Sequence, residues 1–242
     1  MVGTVHDGQV RIIAVEVPGG APVFDADLPH GSDPHRIAWE RGYRIIRPLS
    51  ASGGGADVTL TVQVGLHRRS RALPRLGPRA VDADLDLGTL SVAPVVRQRV
   101  AAYALVLSER GLLATQFSAR TAIPGLWGLP GGGIDAGESA SAAVLREIEE
   151  ETGQAAEISQ LLDVQTDHWI GRSPSGVVED FHAVRIIYAG RCPQPGTPVV
   201  NDVGGTTAAA AWIPLSEWTS HSWSAWARAL LERHLTRLSA AG

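Results

Sequence analysis

The sequence predicts an α/β protein in two parts. A β-rich N-terminal domain covers residues 1–95, and a second domain over residues 96–242 mixes strands with helices. Three observations carry this reading. Val58, Leu60, Val62 and Val64 alternate with Thr59, Thr61 and Gln63, the period-two pattern of a strand with one buried face. Residues 139–153 read as a helix, with Ser139 as N-cap, Gly153 as the C′ stop, and Ala140, Ala142, Ala143, Val144, Leu145 and Ile148 between them. Residues 223–238 place Trp223, Trp226, Leu230, Leu231, His234 and Leu238 on an amphipathic terminal helix, where tryptophans serve as core.

In chain order, Val10–Val17 is a β-branched run ended by Pro18-Gly19-Gly20. Residues 21–35 carry Asp25, Asp27, Pro29, Asp33 and Pro34 and read as a long loop. Residues 37–49 carry Trp39, Tyr43, Ile45 and Ile46, Ser52–Gly55 reads as a turn, and the segment as a whole as a small antiparallel β domain. His67-Arg68-Arg69-Ser70-Arg71, with Arg75 and Arg79, is a proline-rich basic segment that reads as a solvated linker. Residues 81–90 alternate apolar residues with Asp82, Asp84 and Asp86, as an edge strand or the approach to the second domain, with the border near Pro94. In the second domain, residues 97–107 form a strand, Ser108–Gly111 a hairpin turn and Leu112–Thr115 the return strand. Further strands cover residues 158–169, 181–188 and 208–213, with loops at 171–176 and 193–198.

Composition narrows the function. With 44% hydrophobic residues the chain can bury a core, and a net charge of −4 gives no basic field for nonspecific duplex binding. All 21 basic residues are arginine, which excludes Schiff-base lysines and a P-loop lysine. A single cysteine, Cys192, forms no internal disulfide and fits a reducing cytoplasm. No stretch is long and apolar enough to span a bilayer, and residues 1–13 lack a signal-peptide pattern. His168, His182, His221 and His234 are scattered without zinc spacing and read as structural or surface histidines.

The chemistry concentrates in residues 132–154, GGIDAGESASAAVLREIEEETGQ. Glu147, Glu150 and Glu151 fall at i, i+3 and i+4 and share one helix face. Like charges there repel one another and sit at the unfavourable end of the helix macrodipole. By itself such a run is a solvated acidic face. Beside the glycine turn Leu129-Pro130-Gly131-Gly132-Gly133 it becomes an oxygen-rich site suited to a hard cation.

The stretch resembles the Nudix box, G-x5-E-x7-R-E-U-x-E-E-x-G-U, where U is a bulky aliphatic residue. Gly132, Glu138, Arg146, Glu147, Ile148, Glu150, Glu151 and Gly153 are in register, and Gln154 departs where an aliphatic residue is expected. The departure falls on packing rather than chemistry. The approach Gly125-x-Trp127-x-Leu129-Pro130-Gly131-Gly132 and the Trp212-Ile213-Pro214-Leu215 step are also similar to the family.

The resemblance implies a Nudix α/β/α sandwich with a mixed sheet. It further implies Mg²⁺- or Mn²⁺-dependent hydrolysis of a nucleoside diphosphate linked to another group. It assigns Glu150 and Glu151 as metal ligands, Glu147 as ligand or base, the Gly132 carbonyl as a further ligand, Arg146 as the residue that orients Glu147, and Glu138 as a metal-adjacent acid. Trp127, Gly131, Gly133 and Asp202 are candidates for substrate contact, and Asp202 is the second choice for general base. The alternative is a nucleotide-sensing module that keeps the fold without catalysis. Residues 155–171 lack the proline associated with ADP-ribose hydrolases, Gln116 stands where a coenzyme A hydrolase has arginine, and no zinc ribbon is present. Nucleoside triphosphates and nucleotide sugars remain as substrates. The expected partner is this small-molecule nucleotide, with no nucleic acid and no membrane. The N-terminal domain is expected to pair two copies of the chain or to border the substrate entrance.

Overall fold

The computed structural model describes residues 8–55, 57–67, 80–90, 92–173, 175–202 and 204–239, without the side chains of 236–239. The basic stretch 68–79 and residues 1–7 lie outside the described residues. The chain clusters into two compact units. The first comprises the described residues up to Ala102, Gly133–Ala143 and Gln160–Tyr188; the second comprises Tyr103–Gly132, Val144–Ser159 and the chain from Ala189 on.

In the first unit, β1 (Val10–Val15), β2 (Pro22–Asp27), β3 (Tyr43–Gly54) and β4 (Asp57–Leu66) form a sheet in the order β2-β1-β4-β3. Val58, Leu60, Val62 and Val64 are buried, as their alternation predicts, and pack with Val10, Ile12 and Ala14 of β1. The sheet is mixed rather than antiparallel. Its two hairpin-like pairs, β1/β2 and β3/β4, meet through a parallel β1/β4 ladder that runs from Val10↔Val58 to Val15↔Gln63. Such a ladder joins the two most buried strands, and no local sequence signal specifies it.

Residues 21–35 are not one loop. They contain β2 and lead into helix α1 (Pro34–Glu40), whose N-cap Asp33 accepts from the His35 amide at 2.7 Å and whose Pro34 sits where no amide is needed. The turn expected at Ser52–Gly55 is mostly strand, since β3 runs on to Gly54. Pro48 is accommodated there because β3 is an edge strand with register shifts on either side of it. His67 stacks on Trp39 with centroids 3.8 Å apart.

The larger sheet has the order β12-β7-β6-β11-β10-β5, with β8 beside β7 and β9 beside β6. Its strands are β5 (Ala80–Val81), β6 (Val95–Ser108), β7 (Gly111–Phe117), β8 (Trp127–Gly128), β9 (Gly131–Gly133), β10 (Glu157–Arg172), β11 (Val178–Arg191) and β12 (Thr207–Ile213). It is mixed: β5 runs parallel to β10, whereas β7 is antiparallel to β6, β8 and β12. The strand expected over 81–90 ends at Val81. Turns follow, with Asp86 accepting from the Gly88 amide, while Asp82 accepts from the Arg172 amide and Asp84 pairs with the Arg172 guanidinium. The loop expected from Gly171 starts after Arg172, where β10 ends. The β6/β7 hairpin closes at Ser108↔Gly111.

Helices α2 (Ala140–Thr152) and α3 (Ala225–Ser239) accompany this mixed sheet, which is the α/β architecture expected of the second domain. Val144 and Ile148 of α2 and Leu230 and Leu231 of α3 are fully buried. Helix α3 begins two residues later than expected. Trp223 pairs with Trp127 before it and is buried in the core, whereas Trp226, against Tyr103 at 4.8 Å, is only partly buried. Among the described residues, no helix is long and apolar enough to cross a membrane.

Candidate active site

Helix α2 begins where its cap residue predicts: the Ser139 hydroxyl accepts from the Ala142 amide at 3.2 Å. It ends at Gly153, whose φ of +64° is left-handed. The last carbonyls find partners in a distant segment. Val199 donates its amide to Thr152 O, Asn201 and Asp202 donate theirs to Glu150 O, and the Asn201 side chain donates to Glu149 O, at 2.8–3.1 Å. These bonds satisfy a helix end that would otherwise be orphaned, and they bring Asp202 to the acidic end of the helix. Asp202 stands out in the sequence as a loop acid, whereas the amide cap beside it arises only from the fold.

Glu151 is only 6% exposed. The Gly131 amide donates to one of its carboxylate oxygens at 3.0 Å, and the Thr207 hydroxyl donates to the other. Burial pushes its pKa up to about 7. The two hydrogen bonds oppose that rise, and the charges of Glu147 and Asp202 add to it. Thr207 went unrecognised in the sequence, because nothing local marks a threonine 56 residues away as a carboxylate's partner. Arg146 Nη1 donates to both Glu147 and Glu150, at 3.0 Å each. Glu147 is largely buried at the side chain and Glu150 half exposed. Strand β9 presses against this face: a Cβ at Gly132 would stand 2.4 Å from a Glu147 carboxylate oxygen, so a larger residue there would push the Glu147 carboxylate aside.

These residues fit a divalent cation. A buried carboxyl with a raised pKa, two more carboxylates on the same face and an adjacent bare backbone make the oxygen-rich donor set that Mg²⁺ and Mn²⁺ prefer. The second unit thus gathers Gly131, Gly132, Arg146, Glu147, Glu150, Glu151 and Asp202.

Trp127 belongs to the same unit and is held by packing. Its backbone bonds to Ser222 and Ser224 at 2.8 Å, and its ring meets His221 edge-on at 5.8 Å. Glu138 and Gly133 lie in the first unit. Glu138 accepts from the Asp135 amide at 3.1 Å, and its carbonyl accepts from Gly55 at 2.9 Å. A Cβ on Gly133 would lie 3.0 Å from the Arg99 guanidinium.

Gln154 explains its own departure from the box pattern. It is buried, and its Oε1 accepts from the Gly196 amide at 2.8 Å while Cys192 Sγ lies 4.0 Å away. An amide here holds the 192–198 loop. Gln154→Leu restores the aliphatic residue of the pattern but strips Gly196 of its acceptor. We expect it to destabilise the protein by about 1–3 kcal/mol, seen as a lower urea midpoint. An unchanged or higher midpoint would show that the residue acts through its apolar volume alone.

The histidines correct the sequence reading. His168 on β10 and His182 on β11 are not scattered: they gather with His30, which follows β2, and with Asp180. Burial, reinforced by the charges of His30 and His168, lowers the pKa of His182 to about 4.

Comparison with known proteins bears on the second domain. Residues 97–234 match the NUDIX domain model. The chain is 46% identical over 54 residues to "Nudix hydrolase 26, chloroplastic" of Arabidopsis thaliana, covering 22% of this chain and 23% of that protein. It is 34% identical over 67 residues to an RNA pyrophosphohydrolase of Erythrobacter litoralis, covering 28% of this chain and 41% of the relative. The match therefore spans well under half the length of either relative. Among solved structures, a MutT NUDIX hydrolase from Burkholderia pseudomallei is 26% identical with a TM-score of 0.40, covering 57% of this chain and 98% of its own.

Proposed function

We propose that this chain, which belongs to the NUDIX family, hydrolyses the pyrophosphate linkage of a nucleoside diphosphate joined to a further group, as in a nucleoside triphosphate or a nucleotide sugar. The observation that carries the reading is the buried Glu151 carboxyl, raised to about 7, on one helix face with Glu147 and Glu150 and against the Gly131–Gly132 backbone. Glu150 and Glu151, with the Gly132 carbonyl, would hold Mg²⁺ or Mn²⁺. When bound, the ion supplies positive charge where phosphoryl oxygens gain negative charge.

The chain's own residues do the rest. Glu147, fixed by the Arg146 guanidinium, takes a proton from water as the water oxygen attacks one phosphorus. The bridging P–O bond breaks, and two phosphate products leave. Gly131 offers its backbone to the phosphates, and Trp127 borders the base. The setting we infer is a reducing cytoplasm, which fits the single buried thiol of Cys192. Residues 1–95 form an accessory part that pairs two copies of the chain, so light scattering on the purified chain should return twice the monomer mass.

A panel of nucleotides, with the phosphorylated products separated by chromatography, tests the reaction. It contains triphosphates, nucleotide sugars and, given the name of the Erythrobacter relative, a pyrophosphate-bearing RNA. Turnover of at least one small nucleotide with Mg²⁺, abolished by chelator, is the expected result. Turnover of none of them overturns the proposal.

The base is tested with Glu147→Gln and Asp202→Asn under saturating metal. Glu147→Gln should lose about a hundredfold or more in turnover and Asp202→Asn much less. The reverse order moves the base to the loop.

A further inference from the structure

We propose that His30, His168 and Asp180 form a second metal site, for a zinc-class transition ion, separate from the acidic face of α2. His30 Nε2 lies 3.0 Å and His168 Nε2 2.5 Å from the same Asp180 oxygen, and all three donor atoms fall within 4.8 Å of one another. Two imidazole nitrogens and one carboxylate oxygen suit zinc, cobalt or nickel, whereas the all-oxygen face of α2 suits magnesium or manganese. The cluster lies wholly within the first unit.

The ring geometry supports the assignment. Three imidazoles stand edge-on to one another, with centroids 5.1 Å (His30–His168), 5.5 Å (His30–His182) and 6.2 Å (His168–His182) apart and interplanar angles of 73–82°. Rings that converge on one ion at about 2.0–2.1 Å place their centroids roughly 5 Å apart.

His182 is anchored beside the cluster by Gln98. The Gln98 amide donates its Nε2 to Gly8 O at 2.8 Å, so its Oε1 faces His182 Nδ1 at 2.7 Å as an acceptor. His182 stands outside the donor group of His30, His168 and Asp180 and packs against both other rings.

The surrounding chain is shaped for the rings. A Cβ on Gly31 would fall 2.6 Å from His168 Nδ1, so the glycine lets the loop after β2 close over the ring. The same loop is tied again to β10 by Asp33, which accepts from the Thr166 hydroxyl at 2.9 Å. The side chains of His30, His168 and Asp180 keep 16–27% of their surface exposed, so an ion and one further ligand have access. A bound ion would clamp the β2–α1 loop onto β10 and β11.

Cobalt absorbance and thermal shift test the site on the full chain. To remove competition from the α2 carboxylates, Glu150→Gln/Glu151→Gln serves as the background. In it, one equivalent of Co²⁺ should give visible d–d bands of four-coordinate intensity, Zn²⁺ should displace them, and Zn²⁺ should raise Tm by more than about 3 °C. His168→Gln and Asp180→Asn, each checked for folding by circular dichroism, should lose the bands and the shift. No stoichiometric Co²⁺ or Zn²⁺ binding by the background protein overturns the proposal. So do bands that persist unchanged in both cluster variants. Because neither readout uses hydrolysis, this result and the fate of the hydrolase reading are independent.

Discussion

Glu151→Gln, and to a similar degree Glu150→Gln, is expected to lower turnover by at least about a hundredfold with Mg²⁺ while the protein stays folded. Each change removes a negative donor from the face that would hold the cation, and charge stabilisation of the phosphoryl group is worth several kcal/mol in such sites. Glutamine keeps the shape of the side chain and can still accept a hydrogen bond from Gly131 or Thr207, so any loss reports on charge rather than packing. Steady-state rates, with circular dichroism as the control for folding, measure it. A Glu151→Gln protein with near-normal kcat would remove Glu151 from the machinery.

The second large effect is on stability. The Glu151 carboxyl is raised to about 7 in the folded protein, against its ordinary value of 4.5. Between these two values the folded chain holds a proton that the unfolded chain has released. Its stabilising contribution is therefore full below about pH 4.5 and is lost as pH rises through about 7. For metal-free protein this loss amounts to roughly 3 kcal/mol, a cost of burying an ionised carboxylate. Urea midpoints measured in chelator should fall across that window, and Glu151→Gln should flatten the fall. Adding Mg²⁺ or Mn²⁺ should restore stability most at pH 8, where the carboxylate is ionised and ready to bind. A wild-type midpoint that is level from pH 5 to 8 in chelator would mean that Glu151 carries no such penalty.

How far the sequence foretold these features depends on how local their causes are. The sharing of a face by Glu147, Glu150 and Glu151 follows from helical spacing alone, and Ser139 and Gly153 mark the helix ends through backbone chemistry. The burial of Glu151 does not. It depends on Thr207 and Gly131, which reach it from other strands. Asp202 could be picked out as an acid in a loop, but the amides of 199–202 that cap α2 are invisible without the fold. Strand β2 escaped notice because it is an edge strand whose alternate residues are polar, and α1 because its opening Asp33-Pro34 reads equally as a turn. The histidine cluster was misread for the same reason. His30 stands 150 residues from Asp180 and meets it only when the loop after β2 closes on β10 and β11.

The most direct test of the hydrolase reading follows the best substrate of the panel by ³¹P NMR in ¹⁸O-enriched water, with Mg²⁺ and then with excess chelator. The account predicts that the pyrophosphate bridge is cut and that one ¹⁸O atom enters one of the two phosphate products. It also predicts that chelator stops the reaction and that Glu147→Gln slows it by about a hundredfold. Cleavage that leaves the label in the water, or that continues undiminished in chelator, would contradict it.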